Sequence, residues 1–192
     1  MTDASCGRGT YRPHHTRAMG AHMGVNKIDH VVVPGTFDPV TYGHLDVIER
    51  AWRLFPKVTV GVAASLGKRG VGTTFSLDER VTMLRDALAN EGIGDEIEVL
   101  PFQGLLVDFC RGIGARGVVK GLRAMTDFEY ELQQSALNTR MAPEIESVYV
   151  MSASEYGFVS SSIVRELASF GSDMRFLVPP NVADALQAHY AR

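Results

Sequence analysis

From Ile28 onward the sequence alternates short apolar runs with segments patterned as helices, and this alternation restricts the fold more than any other feature. Ile28–Val33 is a brief apolar run ending in Pro34-Gly35, the pattern of a buried strand followed by a tight turn. Gly43–Phe55 then sets Leu45, Ile48, Ala51, Trp52 and Phe55 on one helical face. Val58–Ala63 reads as a second buried strand, with Gly67, Gly70 and Gly72 in the loop after it. Ser76-Leu77-Asp78-Glu79 has the form of a capping box, so a helix opens there with Val81, Leu84 and Leu88 inside.

The alternation continues to the C-terminus. Strands are predicted at Glu96–Pro101, Gly117–Val119 and Ser147–Met151, and helices at Leu105–Arg111, Phe128–Asn138, Ser161–Ser169 and Val182–His189. Strand, helix, strand in repetition requires parallel strands joined by right-handed crossovers. The expected fold is therefore α/β, a single-domain, Rossmann-like, doubly wound five-stranded parallel sheet with C-terminal helices. In such sheets ligands bind beyond the carboxyl ends of the strands.

Composition agrees and removes several classes of function. The chain has 192 residues, 45% hydrophobic and 21% charged, enough to bury the core of one domain. A formal net charge of -3 and a pI near 6.1 do not suit a general nucleic-acid binder. Cys6 and Cys110 are far apart in sequence and form no CxxC pair, which fits a reducing cytoplasm. No apolar run approaches the roughly 20 residues of a membrane span.

Residues 1–26 differ from the rest, with three arginines, His14, His15, His22 and no apolar periodicity. They are expected to be a disordered N-terminal extension or tag, leaving residues 27–192 as the domain. The three histidines have no carboxylate or cysteine at ligand spacing, so no metal site is expected there.

The residues that carry chemistry begin at the turn after the first strand. Gly35-Thr36-Phe37-Asp38-Pro39 is followed by Thr41-Tyr42-Gly43-His44. Gly35 lets the backbone approach a ligand, and Gly43 does so in the first turn of the next helix. That helix start offers unpaired N–H groups and a partial positive charge, both favourable to phosphate. His44 adds a ring nitrogen at the same place. Ser160-Ser161-Ser162 reads first as an N-cap before Ile163-Val164-Arg165-Glu166.

The pair of segments G-T-F-D-P and T-x-G-H resembles the nucleotide-binding signature of the HxGH-type nucleotidyltransferases, with Thr41 at the first His position. Further segments, in order, are similar to the phosphopantetheine adenylyltransferase family. They are Ala63-Ala64-Ser65 with Lys68, Phe75-Ser76-Leu77-Asp78-Glu79-Arg80, Lys120-Gly121-Leu122-Arg123-Ala124, Asp127-Phe128-Glu129-Tyr130-Glu131, Glu144-Ile145-Glu146-Ser147-Val148 and Val159-Ser160-Ser161-Ser162. The resemblance runs from about Ile28 to the C-terminus.

The resemblance implies transfer of AMP from ATP to 4′-phosphopantetheine, giving dephospho-coenzyme A and pyrophosphate. It assigns His44, Lys68 and Arg123 to catalysis. It places ATP against Thr36, Phe37, His44, Gly121, Leu122, Arg123, Glu131 and the run Tyr156, Gly157, Phe158, Val159, Ser160, Ser161 and Ser162. The acceptor falls to Thr36, Lys68, Leu106 and Lys120, although periodicity alone reads Leu106 as core, and Glu131 reads equally as a solvated helix residue. It also implies Mg2+ carried with ATP and no protein metal ligands, a homohexamer, feedback inhibition by coenzyme A, and neither nucleic acid nor membrane as partner. The family commonly has Arg where this chain has Lys120, which keeps the charge but loses the bidentate fork.

The implied chemistry is consistent with the residues present. An attacking phosphate has a second pKa of about 6 and is mostly dianionic at neutral pH, so it needs no general base. It needs its charge neutralised while two polyanions meet in line. The matched segments are accordingly rich in cations and N–H donors.

Nicotinamide-mononucleotide adenylyltransferases and cytidylyltransferases usually carry His where this chain has Thr41. A class I aminoacyl-tRNA synthetase would need a K-M-S-K-S loop, which is absent. A non-catalytic nucleotide sensor is disfavoured by the set Thr36, His44, Lys68 and Arg123. Gly112-Ile113-Gly114-Ala115-Arg116-Gly117 matches G-x-G-x-x-G by letter. It ends a predicted helix instead of opening one, so it reads as helix termination.

Overall fold

The computed structural model describes residues 27–64, 73–123 and 125–191. The expected N-terminal extension and the position of Lys68 lie outside these residues.

Five strands, β1 (His30–Gly35), β2 (Lys57–Ala63), β3 (Glu98–Phe102), β4 (Gly117–Leu122) and β5 (Glu146–Met151), form one sheet in the order β3-β2-β1-β4-β5. Every neighbouring pair is parallel. Six α-helices alternate with and follow the strands: α1 (Tyr42–Leu54), α2 (Leu77–Asn90), α3 (Leu106–Ile113), α4 (Met125–Met141), α5 (Ser161–Ser169) and α6 (Pro180–Tyr190). This is the doubly wound fold expected from the alternation. Short 3₁₀ turns at Gly94–Glu96 and Ser154–Tyr156 complete the described elements.

Successive strand residues point to opposite faces, and β1 divides its side chains accordingly. Val31 and Val33 enter the larger core with Ile48, Leu84, Leu88 and Leu186. Val32 enters a smaller core on the other face, with Val107, Cys110, Val118 and Ile145. Burying a side chain the size of Ile48 or Leu84 stabilises by about 1.5–3 kcal/mol. Both faces are covered, which explains why the strands read as continuous apolar runs.

The local signals are realised in the helix ends. Ser76 Oγ accepts from the Glu79 N–H, and the Glu79 carboxylate accepts from the Ser76 N–H, closing the predicted capping box of α2. Gly114 ends α3 in the left-handed region at φ 72, so the G-x-G-x-x-G match is a helix terminus. Ser160 caps α5 by accepting from the Ile163 N–H.

Chain order reverses between β1 and β4, which run side by side although α1, β2, α2, β3 and α3 separate them in sequence. A sheet of this kind opens a crevice at that point, outside the carboxyl ends of the two strands.

Candidate active site

The crevice exists. A cavity of about 330 Å³ lies at the ends of β1 and β4, within the range of about 300–1,000 Å³ common for small-molecule sites. Pro34, Gly35 and Thr36 supply one side, Lys120, Gly121 and Arg123 the other, and Gly43 and His44 of α1 stand between them. Val47 and Val119 provide apolar wall.

His44 is the third residue of α1 and is held by the helix cap. Thr41, buried at the N-cap, accepts from the His44 N–H through Oγ1, while its own N–H donates to His44 Nδ1 at 3.1 Å. Thr41 Oγ1 also lies 3.0 Å from Nδ1. A backbone N–H only donates, so Nδ1 is an acceptor and the proton of the neutral ring sits on Nε2. Burial, with the Arg123 charge second, pushes the His44 pKa down to about 4. The ring is therefore a neutral hydrogen-bond donor at physiological pH. The edge-on packing of the Phe37 ring, 5.1 Å between centroids at 73°, fixes its other side.

Phe37 departs from expectation. Its backbone lies in the left-handed region at φ 48, and its side chain is only 3% exposed. A Cβ placed on Gly35 would sit 2.8 Å from the Phe37 ring. Gly35 is thus needed to admit that ring, not only to let a ligand approach. The following Asp38–Pro39 bond is cis.

Asp38 turns away from the cavity into the scaffold. Its carboxylate accepts from the N–H groups of Thr74 and Phe75 at 2.9 and 3.0 Å, and Arg165 of α5 binds both its carboxylate and its carbonyl. Ser161 Oγ donates to the Pro39 carbonyl at 2.8 Å, so the start of α5 is tied to the same turn. Asp46 of α1 accepts from the Ala153 N–H at 2.9 Å, anchoring the segment after β5 beside the site.

The cations are placed but already engaged. Lys120 Nζ lies 3.2 Å from Glu131 Oε2, both side chains being about a fifth exposed. Arg123 Nη1 donates to the Val159 carbonyl at 2.7 Å, linking the end of β4 to the loop before α5. Tyr149 donates to the Glu131 carbonyl at 3.0 Å and steadies α4 over β5.

A family profile described as cytidylyltransferase-like matches residues 32–167, most of the chain. The chain belongs to the cytidylyltransferase-like family.

Solved structures with the same fold include a bifunctional NMN adenylyltransferase/ADP ribose pyrophosphatase from Francisella tularensis. It is 18% identical, with a TM-score of 0.67, over 86% of this chain and 51% of that one. The same protein in complex with AMP and a manganese ion matches with a TM-score of 0.60, at 18% identity over 86% and 52% of the two chains. A Vibrio parahaemolyticus protein provisionally assigned as a nicotinate-nucleotide adenylyltransferase matches at 13% identity and a TM-score of 0.61, over 85% and 96%. At these identities the likeness concerns the fold. This chain spans about half the length of the Francisella protein.

Within this cytidylyltransferase-like fold, the cavity brings together Thr36, Phe37, His44, Lys120, Gly121, Arg123, Glu131 and Val159 of the predicted residues. Others stand outside its wall. Leu106 opens α3 half-buried against the smaller core, which agrees with its periodicity and not with a place in this cavity. Leu122 lies at the end of β4, where its carbonyl accepts from Ser152. Tyr156, stacked 6.3 Å from Tyr42, and Gly157, Phe158, Ser160, Ser161 and Ser162 are not part of the cavity lining. Glu131 is paired with Lys120 and is not a solvated helix residue.

Four contributors were not singled out from sequence. Asp38, Arg80 and Arg165 hold the turn, and Ser152 lines the cavity with a buried Oγ that has no partner among the described residues. Ser152 carries no motif, so nothing local marks it. Asp38 and Arg80 stand within recognisable segments, but the contacts that tie them to the turn, Arg80 to Thr36 and Asp38 to Thr74, Phe75 and Arg165, are distant in sequence.

Proposed function

We propose that residues 27–192 form a nucleotidyltransferase domain that transfers AMP from ATP to 4′-phosphopantetheine, producing dephospho-coenzyme A and pyrophosphate. The observation that carries this reading is the neutral His44, fixed by Thr41 as an Nε2–H donor in a cavity shared with Lys120 and Arg123. In adenylyl transfer a phosphate oxygen of the acceptor forms a bond to the α-phosphorus while the bond to the pyrophosphate oxygen breaks. Negative charge is redistributed and no proton need be abstracted. A neutral N–H donor and fixed cations suit that demand, whereas a histidine base would need to accept a proton.

In this reading His44 and Arg123 stabilise charge on the transferred phosphoryl group, and Lys68 contributes a further cation. Lys120 leaves Glu131 to take the acceptor phosphate, and Thr36 orients it. Mg2+ enters on the triphosphate oxygens, whose charge it neutralises. Among the described residues no helix is long and apolar enough to cross a membrane. A homohexamer inhibited by coenzyme A accompanies this reading, as in the family it resembles.

The fold neighbours named for mononucleotide adenylyltransferases make a mononucleotide acceptor the second reading. Labelled ATP decides between them. Label at the α-phosphate should pass to 4′-phosphopantetheine, and label at the γ-phosphate should leave as pyrophosphate. Passage of the α-label to nicotinamide mononucleotide instead would favour the second reading.

A further inference from the structure

Arg80 is a buried arginine of α2, 2% exposed, in a helix whose amphipathic pattern gives no sign of it. Its guanidinium donates to backbone carbonyls. Nη1 binds the Thr36 carbonyl at 2.6 Å and the Ala63 carbonyl at 2.9 Å, and Nε binds the Phe75 carbonyl at 3.2 Å. One side chain therefore joins the turn after β1, the last residue of β2 and the residue preceding the cap of α2.

The bond to Thr36 has a geometric consequence. The peptide unit is planar, and in the trans form its C=O and N–H point in opposite directions. The Thr36–Phe37 peptide is trans, since Asp38–Pro39 is the cis bond in the described backbone. With the Thr36 carbonyl drawn back onto Arg80, the Phe37 N–H points the other way, and both residues line the cavity. No acceptor among the described residues takes that N–H. Phe37 sits at φ 48, a conformation that costs free energy unless its surroundings hold it. The carbonyls of Thr36 and Ala63, which would repel a phosphate from the strand ends, are at the same time occupied by a cation.

We propose that Arg80 is a positioning residue that aims the Phe37 N–H into the crevice as an anion donor. This rests on the reading of the cavity as a nucleoside-triphosphate site. Arg80 touches no reacting atom. It acts through the Thr36–Phe37 peptide, and a small misplacement of such a donor lowers turnover without abolishing binding.

Arg80→Met and Arg80→Lys test it, the first keeping the buried volume apolar and the second keeping a charge with a shorter reach. Each is checked for folding by thermal melting. In folded Arg80→Met, kcat for adenylyl transfer should fall at least ~10-fold while KM for 4′-phosphopantetheine moves less than ~3-fold. The Phe37 amide resonance should shift downfield when α,β-methylene ATP is added to the wild type and lose that shift in Arg80→Met. The Gly43 amide should respond in both. Arg80→Lys should fall between the two. An unchanged kcat, or an unchanged Phe37 response, in a folded variant overturns the proposal. So does failure of both variants to fold, which would make Arg80 a folding determinant. If the wild type transfers no AMP to 4′-phosphopantetheine, the acceptor assignment fails, yet the Phe37 response to the ATP analogue still decides the role of Arg80.

Discussion

The Thr41 backbone N–H donates to Nδ1 of His44 across 3.1 Å, and this bond determines which ring nitrogen His44 presents to the cavity. The same two residues close the cap of α1, since Thr41 Oγ1 accepts from the His44 N–H at 3.4 Å. Helix initiation and orientation of the imidazole are thus one structural feature. The ring is held neutral by burial and by Arg123, with its pKa near 4. It is equipped to donate a hydrogen bond, not to take up a proton.

Removing the ring should cost transition-state stabilisation more than binding. His44→Ala is expected to lower kcat by at least ~10² with a smaller change in KM. Steady-state kinetics with both substrates varied checks this, and near-normal turnover would remove His44 from the mechanism.

Thr41→Ala separates the cap from the ring. It deletes the hydroxyl but keeps the N–H that holds Nδ1, so the unfolding free energy should fall by about 1 kcal/mol. Activity should fall much less than in His44→Ala. Urea titration and kcat on the same preparation give the comparison, and equal activity losses in the two variants would contradict it.

Stability should decline on mild acidification. An unfolded His44 takes up its proton as pH falls through 6.5, whereas the folded ring resists until about 4. Between those values the unfolded chain binds more protons, so stability is lost as pH falls through that window. His30, also lowered by burial and by Lys57, acts in the same direction. Urea midpoints at about pH 7.5 and about pH 4.5 should differ less in His44→Gln than in the wild type. The same difference in both would contradict the assignment.

Gly121 forms the seam between β4 and α1. A Cβ there would lie 2.4 Å from Val47 Cγ2, so Gly121→Ala should destabilise by about 1–3 kcal/mol through overpacking. Val47→Ala in the same chain should recover part of that loss. Strict additivity in the double-mutant cycle would show that the two sites do not touch.

Much of this architecture was legible in the sequence, and the reasons differ by element. Ser76–Glu79 and Ser160 are local caps, complete within three residues, so their pattern and their geometry coincide. The burial of both sheet faces is visible as apolar runs. The reversal between β1 and β4 is not, because strand order depends on packing across the whole chain. Arg80 and Asp38 stand within recognisable segments, but the Thr36 carbonyl that Arg80 binds lies 44 residues away and the Thr74 N–H that Asp38 binds lies 36 away, and a buried arginine on an amphipathic helix reads as solvated. Phe37 reads as a ligand contact by motif. Its ring also fills the space left by Gly35, a relation set by the unusual φ of Phe37 and invisible in the motif. The sequence presents Lys120 and Glu131 separately, one as a phosphate cation and the other as a nucleotide contact or a solvated acid, because they belong to different elements.

An acceptor that is itself a phosphate ester of pantetheine is tested most directly by acceptor-dependent release of pyrophosphate from ATP. Release is expected with 4′-phosphopantetheine, and none with nicotinamide mononucleotide, nicotinate mononucleotide or buffer alone. Release with either mononucleotide, or silence with 4′-phosphopantetheine, would contradict it.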